Sequence, residues 1–230
     1  MASRKFILEP IGSVTITKRK SSKTIRISIS GDGEVRVSIP FWTPYKIGLE
    51  YLKHKADWVN DNMPDRSLLT QGYSIGKAHH INFATSQGIS VSSHIKGNQI
   101  NIMLPVGEKW DSDISQKKAL SGAIRALKKE SQLLLPQRTA VLADKHGYTY
   151  SSVTIKKLKG RWGSCSIDKH IVLNCFLMKL PWELIDYVIL HELAHTKHMS
   201  HNQLFWSELT STLANAKSLR GEIKKHQPTI

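Results

Sequence analysis

His191-Glu192-Leu193-Ala194-His195 constrains this chain more than any other stretch. The segment around it opens at Pro181, a residue suited to a first helical turn, and continues with Leu184, Ile185, Val188, Ile189 and Leu193 as an apolar face. That spacing predicts a helix from Pro181 to about His198. Residues four apart on a helix are separated by about 40° around its axis, so His191 and His195 present two imidazoles to one point. Glu192 sits one place on, where it reaches a water on an ion rather than the ion itself. Two neutral ring nitrogens at about 2.0–2.1 Å from Zn²⁺, beside a carboxylate base, are the donor set for hydrolysis by a metal-activated water. Chance would supply roughly 0.02 copies of such a motif in a chain with this His and Glu content, so it counts as a signal.

An open catalytic site needs a third protein ligand. His198, His201 and Glu208 are the nearby candidates. On an unbroken helix His201 would lie about 240° round from His195 and could not take part. Ser200-His201-Asn202-Gln203 has the form of a capping box, which predicts a turn through Lys197–Met199 and a second helix from His201 to about Lys217. Such a turn swings His201 back toward the first two rings. His198 follows His195 too closely to share an ion easily, and Glu208 on the second helix is the runner-up. Leu204, Phe205 and Trp206 read as core packing. Two blander readings compete: plain core or surface histidines, and a structural zinc completed by Cys165 and Cys175.

The rest of the chain reads as α+β. A β-rich N-terminal half, 1–108, precedes a catalytic half, 109–230, with a small sheet and the zinc-binding helix. Branched residues alternate with polar ones over Ser13–Lys20, Lys23–Ser30 and Glu34–Pro40, with Gly31-Asp32-Gly33 as a turn, predicting a hairpin or short meander. A helical stretch follows from Pro44 to about Met63, then short strands within Tyr73–Ser86 and Ile89–Leu104 that turn near Gly97. A long helix is expected from about Ser115 to His146, kinked or split by Pro136 and closed by Gly147. Val153–Leu158 reads as a strand, and Arg161–Ile167 with His170–Phe176 as a hairpin whose arms bring Cys165 and Cys175 opposite each other.

Composition excludes several classes. Apolar residues at 40% and charged residues at 22% exclude an acidic disordered tail or a collagen-like chain. Two cysteines cannot make a disulfide framework and fit a reducing compartment. No run approaches the ~20 apolar residues that cross a bilayer, and the start shows no secretory leader, so a cytoplasmic protein without membrane contact is expected. The formal charge of +15 stands out. It suggests a nucleic-acid partner bound through a basic surface, with Lys18, Arg19, Lys20 and Lys23 in one cluster and Lys156, Lys157, Lys159 and Arg161 in another. The alternative function is thus a nucleic-acid-associated basic protein, or a DNA-linked protease, with a mainly structural zinc.

The stretch from His191 to His201, followed by Phe205-Trp206, closely resembles the YgjP-like metallopeptidases, relatives of the SprT and WLM zinc proteases. Arg161-Trp162-Gly163-Ser164-Cys165-Ser166, Leu173-Asn174, Lys18–Arg26 and Val35–Pro40 match the same family. The resemblance implies a zincin-like catalytic half with Zn²⁺ held by His191, His195 and His201. It also implies Glu192 as general base and a protein or peptide substrate. Arg161 becomes a candidate for contact with substrate or oxyanion, against a role in bracing the hairpin. The Ile171–Phe176 strand is the expected edge for an extended peptide.

Overall fold

The computed structural model describes residues 2–9, 11–29, 33–63 and 68–229. Period-two alternation builds the first sheet. Its strands are β1 (Ser3–Leu8), β2 (Gly12–Arg19), β3 (Arg26–Ile29) and β4 (Val35–Pro40), in the order β1-β2-β4-β3. Val14, Ile16, Val35, Val37 and Ile39 face one side and are fully buried. Helices α1 (Tyr45–His54) and α2 (Ala56–Asp61) supply Leu52 and Val59 to the same core. Strands β1–β2 and β3–β4 are antiparallel pairs while β2 and β4 run parallel, so of the expected hairpin or short meander the β3–β4 hairpin forms, and a crossover rather than a third meander turn joins it to β2. Gly31 and Asp32 of the expected turn lie outside the described residues. Lys18 and Lys20 of the basic run lie over aromatic rings, Lys18 at 5.0 Å from the centroid of Tyr45 and Lys20 at 6.0 Å from that of Phe41.

By compactness the chain divides into Met1–Ser67 and Leu68–Pro228. The second unit begins with β5 (Ser74–Ile75), β6 (His79–Ser86), β7 (Ser92–Lys96) and β8 (Gln99–Pro105), ordered β5-β6-β8-β7. Helix α3 (Asp113–His146) lies against this sheet. Ser112 caps its start by accepting from the Ser115 amide, and Gly147 closes it in the left-handed conformation, φ 65°. Pro136 sits inside and does not split it.

The buried stripe Ala119, Gly122, Ala123 and Ala126 is small, which lets α3 approach β8 closely. A methyl group at Gly122 would lie 2.7 Å from Ile100 Cγ2. Gly122→Ala is therefore expected to destabilise the fold by about 1–3 kcal/mol through overpacking. Denaturant melts check it, and an unchanged midpoint would show that the sheet yields.

On its far side α3 meets the elements that carry the histidines. These are β9 (Ser152–Lys156), β10 (Gly163–Cys165), β11 (His170–Asn174), a short 3-10 helix (Cys175–Lys179), α4 (Trp182–His195), α5 (Gln203–Thr212) and α6 (Ala216–Ile223). The small sheet is ordered β10-β11-β9, with β10 antiparallel and β9 parallel to β11. Arg138 on α3 holds Asp186 on α4 through two hydrogen bonds, Nε to Oδ1 at 2.7 Å and Nη2 to Oδ2 at 2.5 Å. The buried Glu130 carboxylate accepts from the amides of Lys77 and Ala78 at 2.8 Å each, and its Oε1 lies 3.0 Å from His79 Nδ1. No helix is long and apolar enough to cross a membrane among the described residues.

Candidate metal centre

Helix α4 starts where Pro181 allows it, with Pro181 as the N-cap rather than inside the first turn. Leu184, Ile185, Val188, Ile189 and Leu193 are buried along it, which fixes its rotation. The helix ends at His195, one turn after His191, and the chain leaves it in a tight turn. The His198 amide donates to the Ala194 carbonyl at 3.0 Å, and the carbonyl of His198 lies 3.0 Å from His195 Nδ1. That contact holds Nδ1 of His195 as a donor and leaves its Nε2 lone pair free.

The turn returns His201 to the helix. His201 Nε2 lies 3.0 Å from His191 Nε2. Ring nitrogens of His191, His195 and His201 all fall within 4.8 Å of one another, and these three residues form a group that could hold a metal ion. Tetrahedral nitrogens at about 2.0–2.1 Å from zinc stand roughly 3.3 Å apart, near the 3.0 Å between His191 and His201. Burial, the neighbouring His195 and His201, and then Arg220 push the His191 pKa down to about 3, so its ring stays in the neutral form that a cation binds. His195 is also pushed down, first by burial. The residues present therefore fit a zinc-type ion.

The second helix starts later than the capping box suggested. Asn202, not Ser200, caps α5, its Oδ1 accepting from the Phe205 amide at 3.0 Å. The helix ends at Thr212, and α6 follows as a separate element. Phe205 is fully buried, and its ring centroid lies 5.0, 4.6 and 4.8 Å from those of His191, His195 and His201. It is core, as expected, and also the apolar floor of the triad; its position in the first turn after the third histidine is the signal that could have shown this. Leu204, by contrast, is exposed. Glu208, the runner-up ligand, lies outside the cluster and pairs with Lys197 at 2.7 Å.

Glu192 is 6% exposed. Burial raises its carboxyl to about pKa 8, against a lowering by the Arg161 guanidinium. Strand β10 packs on α4 here. A methyl group added to Gly163 would sit 2.7 Å from Glu192 Oε1 and 2.8 Å from its Cγ, so the carboxylate rests where only glycine leaves room. Asn174 organises the approach. Its Nδ2 donates to the carbonyls of Leu158 and Arg161 at 3.0 and 2.8 Å, and its amide donates to the Trp162 carbonyl at 2.8 Å. Those bonds fix the backbone at Arg161 and Trp162, just ahead of Gly163.

Two expectations are corrected. Strand β11 lies between β10 and β9, so its backbone is already paired on both sides; the edge of this sheet beside Glu192 is β10. Cys165 stands opposite Ile171, and Cys175 lies beyond the strand in the 3-10 helix; both thiols are free. The Cys165 thiol is pushed up to about 11, by burial and then by Glu192, with Lys169 pulling the other way.

Residues 23–226 match the family described as YgjP-like, metallopeptidase domain. Two crystal structures show similarity. The metallopeptidase zymogen abylysin of Pyrococcus abyssi is 26% identical, over 40% of this chain and 93% of that one, with a TM-score of 0.37. The metallopeptidase zymogen jannalysin of Methanocaldococcus jannaschii is 26% identical, over 39% and 92%, with a TM-score of 0.34. No curated protein matches the chain.

Proposed function

The chain belongs to the YgjP-like metallopeptidase family, and on that premise we propose that it is a zinc peptidase with His191, His195 and His201 as the metal ligands. The convergence of those three rings, with Glu192 in the next helical position, carries the reading. When bound, the ion supplies a Lewis acid that brings the acidity of water near neutral pH. Imidazole donors in a tetrahedral set favour zinc over harder ions.

Glu192 performs the proton work. Its carboxylate takes a proton from the attacking water as the water oxygen bonds to the peptide carbonyl carbon. It then delivers that proton to the amine as the carbon–nitrogen bond breaks. Burial supports this role, because a carboxyl poised near neutral pH can both take and return a proton. Arg161 offers a cation beside Glu192, suited to negative charge that develops on the carbonyl oxygen. An extended substrate pairs with the edge of β10, which places its backbone along the strand that packs on α4.

Metal removal tests the reading. The purified chain is incubated with a mixture of quenched fluorescent peptides before and after chelation, with bound metal counted by mass spectrometry. Cleavage is expected with zinc, is lost on chelation and returns when zinc is restored. Cleavage that survives complete chelation, or a chain that takes up no zinc, overturns it.

A further inference from the structure

Lys197 is held by Glu208 and Arg138 by Asp186. Arg220 on α6 differs. Among the described residues no carboxylate lies within ion-pair reach of it, and its N–H donors meet no acceptor. Its Cζ instead sits 4.8 Å from the ring centroid of Trp206. The Trp206 ring lies 6.3 Å from that of His201, tilted by 33°, so guanidinium, indole and imidazole follow one another toward the triad.

Burial raises the Tyr187 pKa, and the Arg220 charge opposes that rise by a smaller amount. A permanent cation therefore stands one indole ring away from His201, exposed and with no carboxylate paired to it among the described residues.

We propose that Arg220, stacked on Trp206, forms an anion-accepting subsite that takes a carboxylate group of the peptide substrate. Stacking on the indole holds the guanidinium plane and leaves its N–H edge free, which suits a planar carboxylate held by two parallel hydrogen bonds. A guanidinium held in place before binding loses less freedom on meeting its partner. The carboxylate comes either from an Asp or Glu side chain or from the C-terminus of the peptide. This inference rests on the peptidase reading for its ligand, and its test is arranged so that the two can fail separately.

The test measures equilibrium binding to the zinc-loaded Glu192→Gln protein by fluorescence polarisation. The probes are labelled decapeptides that differ by Glu or Gln at each position in turn, and by a free or amidated C-terminus. At one position, or at the terminus, the carboxylate peptide is expected to bind about tenfold tighter than its neutral partner, about 1.4 kcal/mol. Adding Arg220→Gln brings that ratio close to one. Adding Arg220→Glu turns the preference toward Lys at the same place, a gain that a misfolded chain could not show. Equal affinity for all pairs, or a preference that Arg220→Gln leaves intact, overturns the subsite. If the preference behaves as expected but the zinc-loaded parent cleaves none of the peptides, the subsite stands and the peptidase reading falls.

Discussion

Glu192→Gln lowers peptide hydrolysis by about 10²–10⁴-fold while the zinc content of the protein stays as it was. The amide keeps the shape of the carboxyl and its buried seat against Gly163, but it cannot accept the proton of the attacking water. The three imidazoles do not depend on it, so metal analysis and single-turnover cleavage separate the two outcomes. A rate within a few fold of the parent would remove Glu192 from the proton transfer. In the metal-free protein the same substitution has a second effect, of opposite sign. Burial raises the folded carboxyl from an ordinary value of 4.5 to about 8, so the folded state resists ionisation that the unfolded chain undergoes freely. That favourable contribution is complete below 4.5 and is lost as the pH rises through 8. Glutamine carries no such dependence. The metal-free variant is therefore more stable than the metal-free parent by an amount that grows between these values and then levels off, on the order of a few kcal/mol. Denaturant melts on the acid and alkaline sides of this window check it.

Gly163→Ala reduces kcat by about 10²-fold, the scale of a 1 Å misplacement of a reacting group. Gly163 is not in a left-handed conformation, so the reason for glycine is closeness. A methyl group would fall 2.7 Å from Glu192 Oε1 and 3.0 Å from its Cδ, and the carboxylate, buried on its other sides, has to move away from its working position. Zinc content and KM should change little, since neither ligand nor substrate backbone is displaced. The double variant decides whether the effect runs through Glu192. With Glu192→Gln already present, Gly163→Ala should cost almost nothing more in rate. A loss that multiplies in full in the double variant would assign Gly163 a separate structural duty.

The helix bearing His191 and His195 is legible in the sequence because everything that defines it is local: a proline at the start, an apolar stripe and two rings one turn apart. The break before the next helix is legible too, although not its cap. Ser200 and Asn202 can each accept from an amide three residues on, and Asn202 is the one that leaves His201 outside the helix and free to turn back. The order of the small sheet is not legible. Alternation tells that 152–156, 163–165 and 170–174 are extended, but the parallel pairing of β9 with β11 comes from contacts between distant segments. Hence the expected peptide edge fell on the middle strand. The contact of Gly163 with Glu192 joins residues 29 positions apart, and Arg220 reaches Trp206 across two helices. Neither leaves a periodic trace for a reader of sequence.

Helix α3 presents Ala119, Gly122, Ala123 and Ala126 to one sheet while Arg138 grips α4 farther along. Portability of the histidine-bearing part is set by this shared beam. A fragment begun at residue 109 would inherit a helix shaped to fit a vanished neighbour, with its narrowest residues facing water where Ile100 and Ile102 had been. The smallest transplantable unit therefore begins at Leu68, and the sheet ahead of the helix travels with the metal centre as part of its foundation.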